Sequence, residues 1–115
     1  MTAVAGAITP ADVDEFARTS GRPDGWRGAA ALYRSMLAEG EELRAVAASA
    51  PLPLPTLAVG GFGGPFTEKT LEQVTTSPVT AVQLNGVGHY VAREAPDRLA
   101  DAMLPFLRGV DTAAA

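Results

Sequence analysis

The sequence predicts an α/β protein, with helices first and then a strand–helix–strand–helix unit whose two strands run parallel. Three observations predict it. Apolar residues recur at helical spacing through the first half. A proline-rich break, Pro51-Leu52-Pro53-Leu54-Pro55, ends that pattern. Beyond it lie two short apolar runs, Thr56–Val59 and Val79–Leu84, with a helical segment between them. Short runs flanked by glycine and proline read as buried strands. A helix joining them is the crossover that parallel pairing needs, right-handed by the usual chirality.

Taken in order, residues 1–8 are small and unpatterned and are expected to fray, as are residues 111–115. Thr9-Pro10 reads as N-cap and first helical residue, and Asp12 and Asp14 fall in the first turn, where the helix dipole favours acids. Val13, Phe16 and Ala17 form the apolar side, and Ser20-Gly21 closes the helix. After the turn Arg22-Pro23-Asp24-Gly25, a second helix is expected from Trp26 to Glu39, with Ala29, Leu32, Tyr33, Met36 and Leu37 on one stripe. Gly40 punctuates it, and Glu41–Ser49 is expected as a third short helix. The first strand ends in Gly60-Gly61, and an irregular glycine-rich loop follows through Phe66. Thr67–Thr75 reads as helical. Asn85-Gly86 is turn chemistry after the second strand. The last helix opens at Pro96 and carries Leu99, Ala102, Met103, Phe106 and Leu107; Pro105 is expected to bend or end it.

Composition narrows the function. A chain of 115 residues with mean hydropathy +0.11 suits one globular domain, able to bury roughly 65% of its unfolded surface. A net charge of −4 with scattered basic residues argues against nucleic acid and anionic membranes as partners. No apolar stretch reaches membrane-spanning length, and the opening residues lack the basic and apolar parts of a signal peptide, so a cytoplasmic location is expected. Without cysteine there is no disulfide or thiolate nucleophile, and with one histidine there is no metal cluster; no cofactor is expected. Gly60–Phe66 has the glycines of a phosphate cradle but not the lysine and hydroxyl of a P-loop. Small-molecule chemistry and protein partners remain. The Ala-, Gly- and Arg-rich composition hints at a GC-rich bacterial source.

The stretch Pro55–Gly61, followed by Val79–Leu107 with Gly88, His89, Tyr90, Glu94 and Pro96 in a G-H-aromatic-x-x-x-E-x-P context, resembles the last two strands and final helix of the α/β-hydrolase superfamily. Upstream, Arg22–Arg44 is similar to the end of the helical cap in epoxide-hydrolase-like members. The resemblance spans about residues 9–109. It implies a truncated α/β-hydrolase half: residues 1–50 a cap-like segment of three helices, and residues 51–115 a β-α-β-α C-terminal part, together one compact domain. It makes His89 the catalytic histidine and places Tyr33, in Leu32-Tyr33-Arg34, where the cap tyrosine polarises an epoxide oxygen. The chain departs from the family in lacking a nucleophile elbow and an oxyanion-hole loop. The turn that would carry the triad acid is Gly60-Gly61-Phe62-Gly63-Gly64, with no carboxylate; Glu68, on the next helix, is the nearest.

His89 is thus the candidate acid–base group, because an imidazole exchanges protons near neutrality; the alternative is an inherited loop residue bonded to backbone. Tyr33 is the candidate oxygen donor, or else a packing tyrosine with its hydroxyl at the surface. Trp26, Met36, Phe62 and Tyr90 are candidate walls of an apolar pocket, with packing the competing role for each. Glu94 is a partner for His89 or Arg93, or a carboxylate satisfying backbone amides before the final helix. The function expected is acid–base catalysis without a covalent nucleophile on a small apolar oxygenated molecule, namely epoxide opening, cyclisation, isomerisation or dehydration in a secondary-metabolite pathway. The alternatives are a non-catalytic binding or assembly module and a hydrolase half completed in trans. Two parallel strands leave a bare edge, which predicts a homodimer joined through Thr56–Val59.

Overall fold

The structure, a computed structural model, describes residues 3–114; residues 1, 2 and 115, in segments expected to fray, lie outside it, as do the side chains of Leu37 and Ala114. The order is α1 (Pro10–Ser20), α2 (Arg27–Ser49), β1 (Thr56–Gly60), α3 (Phe66–Glu72), β2 (Val79–Gln83), α4 (Val91–Glu94) and α5 (Pro96–Ala114). β1 and β2 pair in parallel, Thr56 opposite Val79 through Gly60 opposite Gln83. The expected α/β class and β-α-β-α order are therefore present.

Local chemistry accounts for α1. The Thr9 hydroxyl accepts the Asp12 amide at 3.3 Å, and the Asp12 carboxylate accepts the Thr9 amide at 2.9 Å, a capping box closed on both sides. Thr9→Ala is expected to cost about 1 kcal/mol of local helix stability. Fraying of residues 10–13 in backbone chemical shifts is the check, and unchanged shifts would count against the cap.

Several expectations about the helices and the chain ends are corrected. The two helices predicted on either side of Gly40 are one, running unbroken from Arg27 to Ser49. A glycine costs only about 1 kcal/mol in a helix, and the strong helix formers around it (Glu39, Glu41, Glu42 and Leu43) outweigh that. Two helices, not three, thus precede the strands. Pro105 neither ends α5 nor prevents residues 111–114 from joining it. Proline removes one hydrogen bond, whereas α5 is held by a half-buried stripe of Leu99, Ala102, Phe106 and Val110 and by packing on β1. The start at residues 3–8 is turned rather than frayed, and its amides are bound as described below. α3 begins and ends earlier than expected, and α4 is an additional single turn.

The two-stranded sheet lies between α3 and α5. Strand alternation puts Ala81 and Gln83 on the α3 side and Val82 and Leu84 on the α5 side. Leu84, Val87 and Ala95 form the buried cluster, with Val59, Val82 and Val91 packed against it. The proline-rich segment is tied down, because the Leu52 amide donates to Val74 O at 2.8 Å and Leu52 O accepts the Thr76 amide at 3.0 Å. This packing is confined to the second half; α1 and α2 make nothing comparable.

The molecule is accordingly extended. Its radius of gyration is 17.3 Å, against about 13 Å for a compact domain of this length. Its accessible surface is 8667 Å², against about 5,900 Å² for a compact monomer of its mass. Large apolar side chains contribute to it, with Phe16, Trp26, Leu32, Tyr33, Met36, Leu43 and Val46 all exposed. No helix among the described residues is long and apolar enough to cross a membrane.

Candidate functional site

The carboxyl ends of both strands run into loops that touch. β1 enters Gly61–Pro65, and β2 enters Leu84–Tyr90. The Phe62 amide donates to Gly88 O at 3.3 Å, and the Gln83 side-chain amide donates to Gly61 O at 2.7 Å. Gly61 permits the approach, since a Cβ there would stand 2.4 Å from Gly88 O and 3.2 Å from Val87 O. Gly86, at φ 76, supplies the left-handed turn in which Asn85-Gly86 was expected.

His89 lies on the second loop and is exposed; its ring meets Tyr90 edge-on, with centroids 5.3 Å apart. Its two neighbours are held by Glu94 of α4, 8% exposed and the one buried polar side chain among the described residues. Its Oε2 accepts the amides of Gly88 (2.9 Å), Ala3 (2.7 Å) and Val4 (3.0 Å), and its Oε1 accepts that of Tyr90 (3.1 Å). Of the roles weighed for Glu94, it fills the backbone-binding one, though on the loop before α4 and on a distant segment rather than on the last helix. Arg93 pairs instead with Asp12 of α1.

Burial alone would raise the Glu94 carboxyl, but the amides of Ala3, Gly88, Val4 and Tyr90 outweigh it and hold the pKa down from 4.5 to about 2. A carboxyl depressed on folding stabilises the fold fully above its unfolded pKa and loses that contribution as pH falls through its folded one. Acidification from pH 4.5 to about 2 is therefore expected to release amide protection at Gly88 and Tyr90. Hydrogen exchange across that window checks this, and protection unchanged at pH 2 would contradict it.

The other candidates are scattered. Tyr33, Trp26 and Met36 stand on or beside α2, away from the sheet, with Tyr33 71% exposed. Phe62 and Tyr90 sit on the two touching loops and are also exposed. The structure thus brings His89, Tyr90 and Phe62 to one edge and leaves Tyr33, Trp26 and Met36 apart from them. A cavity of about 290 Å³ lies on the α3 side, lined by Ala58, Gly60, Gly64, Pro65, Ala81, Val82, Gln83 and Glu68. A shallower one of about 350 Å³ lies by Val82, Leu84, Arg98, Asp101 and Ala102. Neither is lined by His89 or Tyr33. Sequence reasoning missed the part played by Ala3 and Val4, whose backbone amides carry no side-chain signal.

No family model matches the sequence, and no curated protein does. Among solved structures, the fold is similar to Cfl2 wild-type from Burkholderia cenocepacia, with TM-score 0.81 and 33% identity over 91% of this chain. The chain spans 36% of that protein's length.

Proposed function

We propose that this chain is the histidine-bearing part of an α/β-hydrolase-like, epoxide-hydrolase-like fold, and that it acts by acid–base chemistry on a small apolar oxygenated molecule. The presentation of His89 carries the reading. It is an exposed imidazole on the loop after a parallel strand, with both flanking amides held by a buried carboxylate. Ligands of open α/β sheets bind at that carboxyl edge.

No covalent nucleophile is needed. With an epoxide, His89 takes a proton from water while the water oxygen bonds to a ring carbon. That carbon's bond to the ring oxygen breaks, and Tyr33 gives its phenolic proton to the released oxygen. The imidazolium then reprotonates the phenolate, leaving a diol. Cyclisation replaces water with a hydroxyl of the same molecule. Such assistance contributes about 10²–10⁴-fold, enough for a reactive substrate in a secondary-metabolite pathway.

For Tyr33 to act, a covering surface must bring α2 over the sheet edge, with Trp26, Met36, Phe62 and Tyr90 as the pocket wall. A second copy pairing antiparallel through Thr56–Val59 supplies it. The excess of accessible surface supports a covering partner, being well above the roughly 800 Å² per partner of a standard interface. One observation favours another reading: a non-catalytic binding or assembly module fits cavities that exclude His89 and Tyr33. In the third reading, completion in trans, a separate half carries the nucleophile.

Light scattering together with turnover of styrene oxide decides among them. The expected result is a dimer whose turnover is lost in His89→Gln and falls about 10²-fold or more in Tyr33→Phe. A dimer indifferent to His89→Gln would sink the acid–base reading in favour of the module. A chain that aggregates until a hydrolase N-terminal half is added would favour completion in trans.

A further inference from the structure

Two adjacent residues of α4 reach the chain's first dozen residues: Glu94 binds the Ala3 and Val4 amides, and Arg93 pairs with Asp12. The same Glu94 carboxylate binds the amides of Gly88 and Tyr90, the two neighbours of His89. We propose that Glu94 is a positioning residue for His89, and that it makes the imidazole's placement depend on the docked N-terminal segment. The importance of that placement rests on the acid–base reading above; the coupling itself does not.

The geometry loads one oxygen of the carboxylate far more than the other. An ionised carboxyl is acceptor-only with about four lone-pair sites, and four amides occupy it here. Three of the four converge on Oε2, one from the His89 loop and two from residues 3 and 4. If the segment leaves, Oε2 keeps one donor, water enters, and the carboxylate gains room to rotate. The Tyr90 amide lies in the peptide plane that follows His89, and the Gly88 amide lies one residue before the plane that precedes it, so rotation of the carboxylate reaches the imidazole through the backbone on both sides. Tyr90 moves with it, since its amide is one of the four and its ring packs against that of His89. The Arg93–Asp12 pair fastens the segment a second time at the start of α1.

The experiment is NMR on the 115-residue chain. It follows amide exchange at Gly88 and Tyr90, the His89 ring signals, and Leu84 methyls as a reporter of the core. In Glu94→Gln, whose amide group would turn N–H against N–H, exchange at Gly88 and Tyr90 is expected to speed up by about tenfold or more. The His89 ring signals should shift while Leu84 stays in place. The double variant Ala3→Pro, Val4→Pro deletes the two distant donors and leaves Glu94 and His89 untouched. It is expected to change the same signals in the same direction. If Glu94→Gln does not fold, the proline variant decides alone. Wild-type exchange and His89 signals in the proline variant would overturn the coupling. A Leu84 shift as large as that of His89 would overturn the positioning role in favour of general support of the fold. None of these readouts requires turnover, so they stand apart from the fate of the styrene oxide assay.

Discussion

Leu84→Ala is expected to be the most damaging single change, costing about 2–5 kcal/mol. Leu84 is 5% exposed and joins the end of β2 to Val87, Ala95 and Val91, so its loss opens the middle of a very small core. A domain of this length carries about 6–15 kcal/mol in total, and the shallow burial here argues for the low end. Thermal unfolding followed by circular dichroism should fall by about 10 °C or more. Leu43→Ala is the comparison, since that residue is 60% exposed on α2 in the single chain: an uncovered helix keeps the loss within about 0.5 kcal/mol, whereas the covering partner proposed above raises it. An equal loss at both positions would mean that the face of α2 is covered in solution.

Gly61→Ala should follow closely, at about 1–3 kcal/mol. The added carbon would meet Gly88 O at 2.4 Å and the Val91 side chain at 3.1 Å, and a backbone carbonyl cannot step aside as a flexible side chain can. The two loops at the carboxyl edge would separate, losing the Phe62–Gly88 hydrogen bond. Denaturant titration measures the cost, and amide shifts confined to residues 87–90 would locate it. Gly28 on α2 provides the contrast. A Cβ there meets nothing, so Gly28→Ala should stabilise by up to about 1 kcal/mol. If Gly61→Ala proved as benign, the contact between the loops would be refuted.

What could be read in advance was what local chemistry dictates. Thr9, Pro10 and Asp12 announce α1 because a capping hydroxyl, a first-turn proline and a first-turn acid fall within four residues. The strands were legible because Thr56–Val59 and Val79–Leu84 are short, apolar and bounded by turn formers. The break at Gly40 was misread because one glycine weighs less than the helix formers around it. α4 was missed because Val91–Glu94 is a single turn wedged before Pro96, too short for any period. The Glu94 network was half legible. A carboxylate ahead of a final helix suggests amide partners, but two of the four lie about ninety residues away in sequence. Whether Tyr33 meets His89 depends on how α2 is carried over the sheet, a tertiary matter that residue spacing does not encode.

Each residue of β1 is matched to one exactly twenty-three positions later in the chain, from Thr56 with Val79 to Gly60 with Gln83. Closing so short a loop costs little entropy, so nucleation of this ladder should be fast for a parallel pair. The second half can therefore fold without waiting for α1 and α2 to find a place. Their ordering is then a separate and later event, and the chain's unfolding need not be all-or-none.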